Sequence, residues 1–122
     1  SDKGAYLILV NGNVCGALSF VQEYKSRMTV EIGYWLDNAM NGRGIMTRAV
    51  DKLIGLAFDV LGANRVEIQA AVENKKSRAI PERLGFYKDG VLRQREIVRP
   101  GVVQDVVMYS KLKSEWEKGK QK

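Results

Sequence analysis

The chain changes its hydrophobic period at one point, and two glycines stand there. Before it, "VEIGYWL" alternates like a strand; after it, "IMTRAVDKLIGLAF" repeats like a helix. Gly42-Arg43-Gly44 lies between them. A fold built on this chain must hand a strand over to a helix whose first turn lies next to residues without side chains. Helix N-termini expose unpaired N–H groups and the positive end of the dipole, so glycines there let an anion approach the backbone. A plain turn with a solvated Arg43 satisfies the same residues, because a lone G-x-G has little specificity.

The remaining pattern sets the fold class. Ala5–Val10 and Val14–Glu23 read as strands joined by Asn11-Gly12-Asn13, and Asn-Gly between β-rich runs is a hairpin signal. Tyr24–Arg27 reads as a polar turn, and Met28–Asp37 as a third strand, antiparallel to the second. A helix follows from about Ile45 to Leu61, with Met46, Ala49, Val50, Leu53, Ala57 and Leu61 on one face and Gly62 as its cap. Val66–Val72 reads as a central strand. Asn74 opens a short helix, "SRAIPERL", stopped by Gly85. Phe86–Val98 and Val102–Lys111 are strands around Arg99-Pro100-Gly101. The order β-β-β-α-β-α-β-β is α+β with a mixed sheet. The tail from Lys111 to Lys122 carries five lysines and reads as a solvated helix end.

Composition narrows the chemistry. The 122 residues suit one domain, 1–122, with one core. No apolar run nears the roughly 20 residues that span a bilayer, and the start lacks the small-residue cleavage site of a signal peptide. Cys15, the only cysteine, fits a strand core, and its solitude points to a reducing, cytoplasmic setting. There is no histidine, which excludes Ser-His-Asp and Cys-His catalysis and disfavours zinc; no metal site is expected. A general base must then be a carboxylate, tyrosine, lysine or water. The formal charge of +6 suits a nucleic acid, an acidic protein or a phosphorylated cofactor.

The strand "EIGYWL", the loop "NGRGIMT", the strand "EIQAAV" and the segment "NKKSRAIPERLGF" together resemble the GNAT superfamily of acyl-CoA-dependent N-acetyltransferases. The RimJ/RimL branch, with its ribosomal-protein-serine acetyltransferases, is the most similar, over Ala5–Trp116. The resemblance implies a mostly antiparallel GNAT sheet flanked by helices. It also implies that the family's first strand and helices, which help form the acceptor site, are missing here. The chain would then be an N-terminally incomplete domain with an exposed strand edge able to pair in a homodimer. Two positions depart from the family. Ala39 stands where Gln or Arg is frequent, and Pro81 stands where many members carry a tyrosine acid, so that tyrosine mechanism does not transfer.

The resemblance implies acetyl-CoA as co-substrate, its phosphates held by Asn41, Gly42, Arg43, Gly44, Ile45, Met46 and Thr47. It implies pantetheine beside Trp35 and Leu36, where the strand splays from its neighbour; both side chains also suit a core. Asn74 would contact the pantetheine amide, or simply cap its helix. Ser77 would face the sulfur, or cap the first turn. Glu96 matches the position of a glutamate base, or is a solvated strand residue among Arg93, Arg95 and Arg99. Glu31 is the second candidate base. Lys76 and Arg78 read as solvated helix charges more than as phosphate contacts. The acceptor implied is a protein N-terminus, of a ribosomal protein for instance. A small amine (polyamine, amino sugar, antibiotic) is the alternative, and a non-catalytic basic RNA- or ribosome-binding module is the reading from another class.

Overall fold

A computed structural model describes residues 6–37 and 44–120. Six strands form one sheet in the order β1-β2-β3-β4-β6-β5. The elements are β1 (Tyr6–Val10), β2 (Asn13–Tyr24), β3 (Thr29–Leu36), α1 (Ile45–Asp59), β4 (Arg65–Ala71), α2 (Lys75–Arg83), β5 (Tyr87–Arg99), β6 (Val102–Leu112) and α3 (Lys113–Lys120). Asn11 and Gly12 both take positive φ, 52° and 82°, as a tight hairpin turn demands. Every pairing is antiparallel except β3 with β4. The α+β order expected from sequence is present, and the helix expected in the tail is α3.

The core lies between the sheet and α1. Val50, Ile54 and Ala57 of the helix are fully buried against Ile32, Val66 and Ile68 of β3 and β4. Burying each such aliphatic side chain stabilises the fold by roughly 1.5–3 kcal/mol. Ala49 and Leu61 pack at the edge of this cluster, while Ile54 and Phe58 complete the buried stripe. The helix closes with Ala63 N–H donating to the Ala57 carbonyl at 2.9 Å, as Gly62 turns at φ 71°. Cys15 is buried on β2.

The tail is a helix end with no buried residue, as expected, but it is anchored. Lys111 belongs to β6, and its Nζ donates to the Leu84 carbonyl at 2.6 Å. Trp116 of α3 stacks on Phe58 with ring centroids 5.1 Å apart, so the tail helix is docked on α1. The lysine content of the tail hid this single aromatic anchor. Among the described residues, no helix is long and apolar enough to cross a membrane.

Candidate active site

The sheet opens where β3 and β4 part. They pair in parallel only from Thr29–Ile32 against Arg65–Ile68. Beyond that, β3 continues to Leu36 and β4 to Ala71 without pairing. On its other side β3 stays paired with β2 up to Leu36. Asp37 N–H donates to the Cys15 carbonyl at 2.7 Å. Strand alternation then turns the Trp35 backbone toward β2 and the Tyr34 and Leu36 backbones toward the opening. Leu36, not Trp35, therefore offers its amide to the gap. A Cβ placed on Gly16 would meet the Trp35 carbonyl at 2.6 Å, so only glycine lets β2 follow β3 this closely. Trp35 is also not a core residue. Its side chain is 56% exposed, while Leu36 packs partly against the core.

Two cavities meet in this opening and share Tyr34, Asn74 and Ser77. The smaller, about 200 Å³, is walled by Trp35, Leu36, Met46, Lys76 and Ile80. The larger, about 510 Å³, reaches Gln69, Gln104 and Glu96. Ser77 and Glu96, distant in sequence, thus line one space. Glu31 does not line it. Glu31 lies in register with Glu67 where the strands are still paired.

Two hydrogen bonds fix the Ser77 backbone on α2. Asn74 is its N-cap, and its Oδ1 accepts the Ser77 N–H at 3.1 Å. The capping reading of Asn74 is therefore correct, and its side-chain NH₂ remains to donate. Tyr34 donates its hydroxyl to the Ser77 carbonyl at 2.8 Å, across the opening. Burial pushes the Tyr34 hydroxyl up to about 12, so it stays a proton donor throughout the neutral range. Arg78 is not a solvated helix charge. Its Nη1 donates to the Val72 carbonyl at 2.9 Å and its Nε to the Tyr109 hydroxyl at 3.1 Å. Tyr109, almost wholly buried, donates in turn to Glu82 at 2.6 Å. This network fastens α2 to the sheet and takes Arg78 out of phosphate binding. Sequence reasoning missed Tyr34 and Tyr109. The signal for Tyr34 was present, because it continues the inward row Val30, Ile32, and a buried phenol needs a hydrogen-bond partner.

Asn41, Gly42 and Arg43 lie outside the described residues, as does Ala39. Gly44 is described: it is the N-cap of α1 at φ 70°, ψ 10°, with no side-chain cap and no acidic residue in the first turn. The first intrahelical bond runs from Arg48 N–H to the Gly44 carbonyl at 3.1 Å. The amides of Ile45, Met46 and Thr47 therefore have no acceptor within the helix. Met46 is buried and lines the smaller cavity. Arg83 Nη1 reaches Thr47 Oγ1 at 3.4 Å, and a Cβ on Gly44 would lie 3.1 Å from Arg48 Nη1. Unpaired amides at a helix N-terminus fit the phosphates of a coenzyme, and the splayed strands fit its arm.

Glu31 has a pKa raised above 4.5, first by burial, then by Glu67 and Glu96, against the opposing Arg95. Below pH 4.5 the carboxyl is neutral folded or unfolded. Above its raised value the folded state holds a charge it disfavours, so stability falls as pH rises through that window. Glu31→Gln is expected to raise Tm at pH 7 and to show no advantage near pH 4. Equal Tm differences at both values in a thermal melt would contradict this.

Residues 1–87 match the family described as an acetyltransferase (GNAT) domain. The chain is 46% identical over 110 residues to YdaF of Bacillus subtilis, provisionally named a ribosomal N-acetyltransferase, covering 90% of this chain and 60% of that one. The solved structures that share the fold include RimL and MccE. RimL, a ribosomal L7/L12 alpha-N-protein acetyltransferase solved in complex with coenzyme A, superposes with a TM-score of 0.82 at 31% identity, over 91% of this chain and 62% of RimL. The microcin C7 self-immunity acetyltransferase MccE, in complex with acetyl-CoA and AMP, gives 0.73 at 40% identity, over 81% and 54%. This chain belongs to the GNAT acetyltransferase family. It spans 50–65% of the length of the curated relatives it matches.

Proposed function

We propose that residues 1–122 form a single acetyltransferase domain. It acts in the cytoplasm and transfers an acetyl group from acetyl-CoA to the N-terminal α-amine of a protein, for instance a ribosomal one. The observation that carries this reading is the shared cavity of about 510 Å³, in which Ser77 and Glu96 stand beside Tyr34 and Asn74. The names of YdaF and RimL support the acceptor class.

Acetyl-CoA supplies an activated acyl carbon when bound. The backbone amides of Ile45, Met46 and Thr47 would cradle the phosphates together with Asn41, Gly42, Arg43 and Gly44, as the resemblance implies, and the Trp35–Leu36 strand would wall the arm. The Leu36 N–H, turned into the opening, donates to the carbonyl oxygen as charge develops there. Asn74 NH₂ donates to an amide of the arm. Glu96 accepts the proton of the incoming amine, directly or through a water. Ser77 Oγ donates toward the sulfur as the carbon–sulfur bond breaks, while Tyr34 holds the Ser77 backbone. An α-amine with a pKa of about 7.7–8 is partly neutral at pH 7, whereas lysine, at about 10.4, is almost wholly charged. One carboxylate therefore suffices for an N-terminal acceptor.

A small amine is the second acceptor class. The likeness to MccE, named for self-immunity rather than for a ribosomal protein, favours keeping it. The test is mass spectrometry after incubation with acetyl-CoA and a panel of peptides and small amines. Acetylation at the peptide α-amine, with lysine side chains untouched, is the expected result. Transfer to small amines alone would overturn the protein acceptor.

A further inference from the structure

Asp105 stands where β5 and β6 fall out of step. Leu92 pairs with Val106 and Glu96 with Gln104. Arg93, Gln94 and Arg95 therefore face Asp105 alone. Two extra residues on β5 decide which side chain stands beside Gln104 in the cavity. In an unbroken ladder that place would fall to Gln94, and Glu96 would sit about 7 Å further along the strand. The bulge is what brings a carboxylate to the cavity.

Its conformation is held rather than spontaneous. Gln94 takes φ 50°, a left-handed backbone that a non-glycine residue adopts at a cost. The Gln94 N–H donates to Asp105 Oδ1 at 2.8 Å, which fixes that turn. The Asp105 backbone also reaches the other half of the site. Its carbonyl accepts the Val72 N–H at 2.9 Å, and Val72 leads through Glu73 to Asn74, the cap of the helix that carries Ser77.

We propose that Asp105 is a positioning residue. Its carboxylate sets the β5 bulge that aims Glu96, and its backbone ties that bulge to the turn that sets Ser77. The inference rests on the assignment of Glu96 and Ser77 above. Removing the carboxylate leaves the backbone bond to Val72, α1 and the smaller cavity in place, so its loss separates turnover from coenzyme binding.

The experiment compares Asp105→Ala, Asp105→Asn and Asp105→Ala with Gln94→Gly. Asp105→Ala should lower kcat for amine acetylation at least tenfold and leave acetyl-CoA affinity within about twofold. Asp105→Asn keeps an oxygen acceptor for the Gln94 N–H and should stay near wild type. Gln94→Gly, free to take positive φ, should restore much of the activity lost in Asp105→Ala. NMR gives a readout independent of catalysis: the cross-strand contact between Glu96 and Gln104 should vanish in Asp105→Ala and persist in Asp105→Asn. Wild-type kcat in Asp105→Ala, an intact Glu96–Gln104 contact there, or a loss equal in Asp105→Asn and unrelieved by Gln94→Gly would overturn the proposal. A wild-type chain that transfers no acetyl group would refute the functional reading alone, and the NMR contact would still decide the role of Asp105.

Discussion

Glu96→Gln is expected to lower kcat for acetylation of an amine by about 10²-fold, with acetyl-CoA affinity within about twofold of wild type. Glutamine matches glutamate in size and keeps one acceptor oxygen, so the cavity and the Glu96–Gln104 pairing persist. What disappears is a group that can take a proton. Glu31 does not line the cavity; it lies in the paired part of β3 beside Glu67. Ser77→Ala should cost less, about tenfold, because a serine hydroxyl stabilises a leaving sulfur by hydrogen bonding without giving up its proton. Steady-state kinetics with saturating acetyl-CoA reads both effects. Undiminished kcat in Glu96→Gln would remove Glu96 from the chemistry.

Gly44→Val is expected to weaken acetyl-CoA binding by at least about 30-fold, or about 2 kcal/mol. Two effects add. A β-branched residue at φ 70° is strained, so the helix start must move. The new side chain also displaces the Arg48 guanidinium and covers the amides that the phosphates would use. Gly62→Val separates these effects. Gly62 has nearly the same φ, 71°, and open space around it, far from the cavities. It should lower Tm and leave acetyl-CoA affinity unchanged. Equal affinity losses in the two variants would mean that helix strain alone, not the cradle, explains Gly44.

Much of this arrangement is legible in the sequence because it is local. The Asn11-Gly12 turn, the change of period across Gly42–Gly44 and the cap at Asn74 each declare themselves within a few residues. The exposure of Trp35 was legible too. Val30, Ile32 and Tyr34 point inward, so alternation sends Glu31, Gly33 and Trp35 outward, yet the size of an indole argued for the core. Other features are not local. Tyr34 reaches Ser77, and Arg78 reaches Tyr109, only after the sheet has brought distant segments together. Trp116 gains its meaning from Phe58. The β5 bulge leaves no trace, because Gln94 is not a residue that announces a left-handed turn and Asp105 is not its neighbour in sequence. The glycine loop was read as the site's centre, and its first residues, Asn41–Arg43, lie outside the described residues, so that part still rests on the resemblance.

The most direct test is a calorimetric titration of acetyl-CoA into this chain, with Gly44→Val in parallel. Saturable one-to-one binding by the wild type, lost or strongly weakened in Gly44→Val, is the predicted result. A folded wild-type chain that takes up no acetyl-CoA, or binds it equally well with valine at position 44, would contradict the assignment of this opening as a coenzyme site.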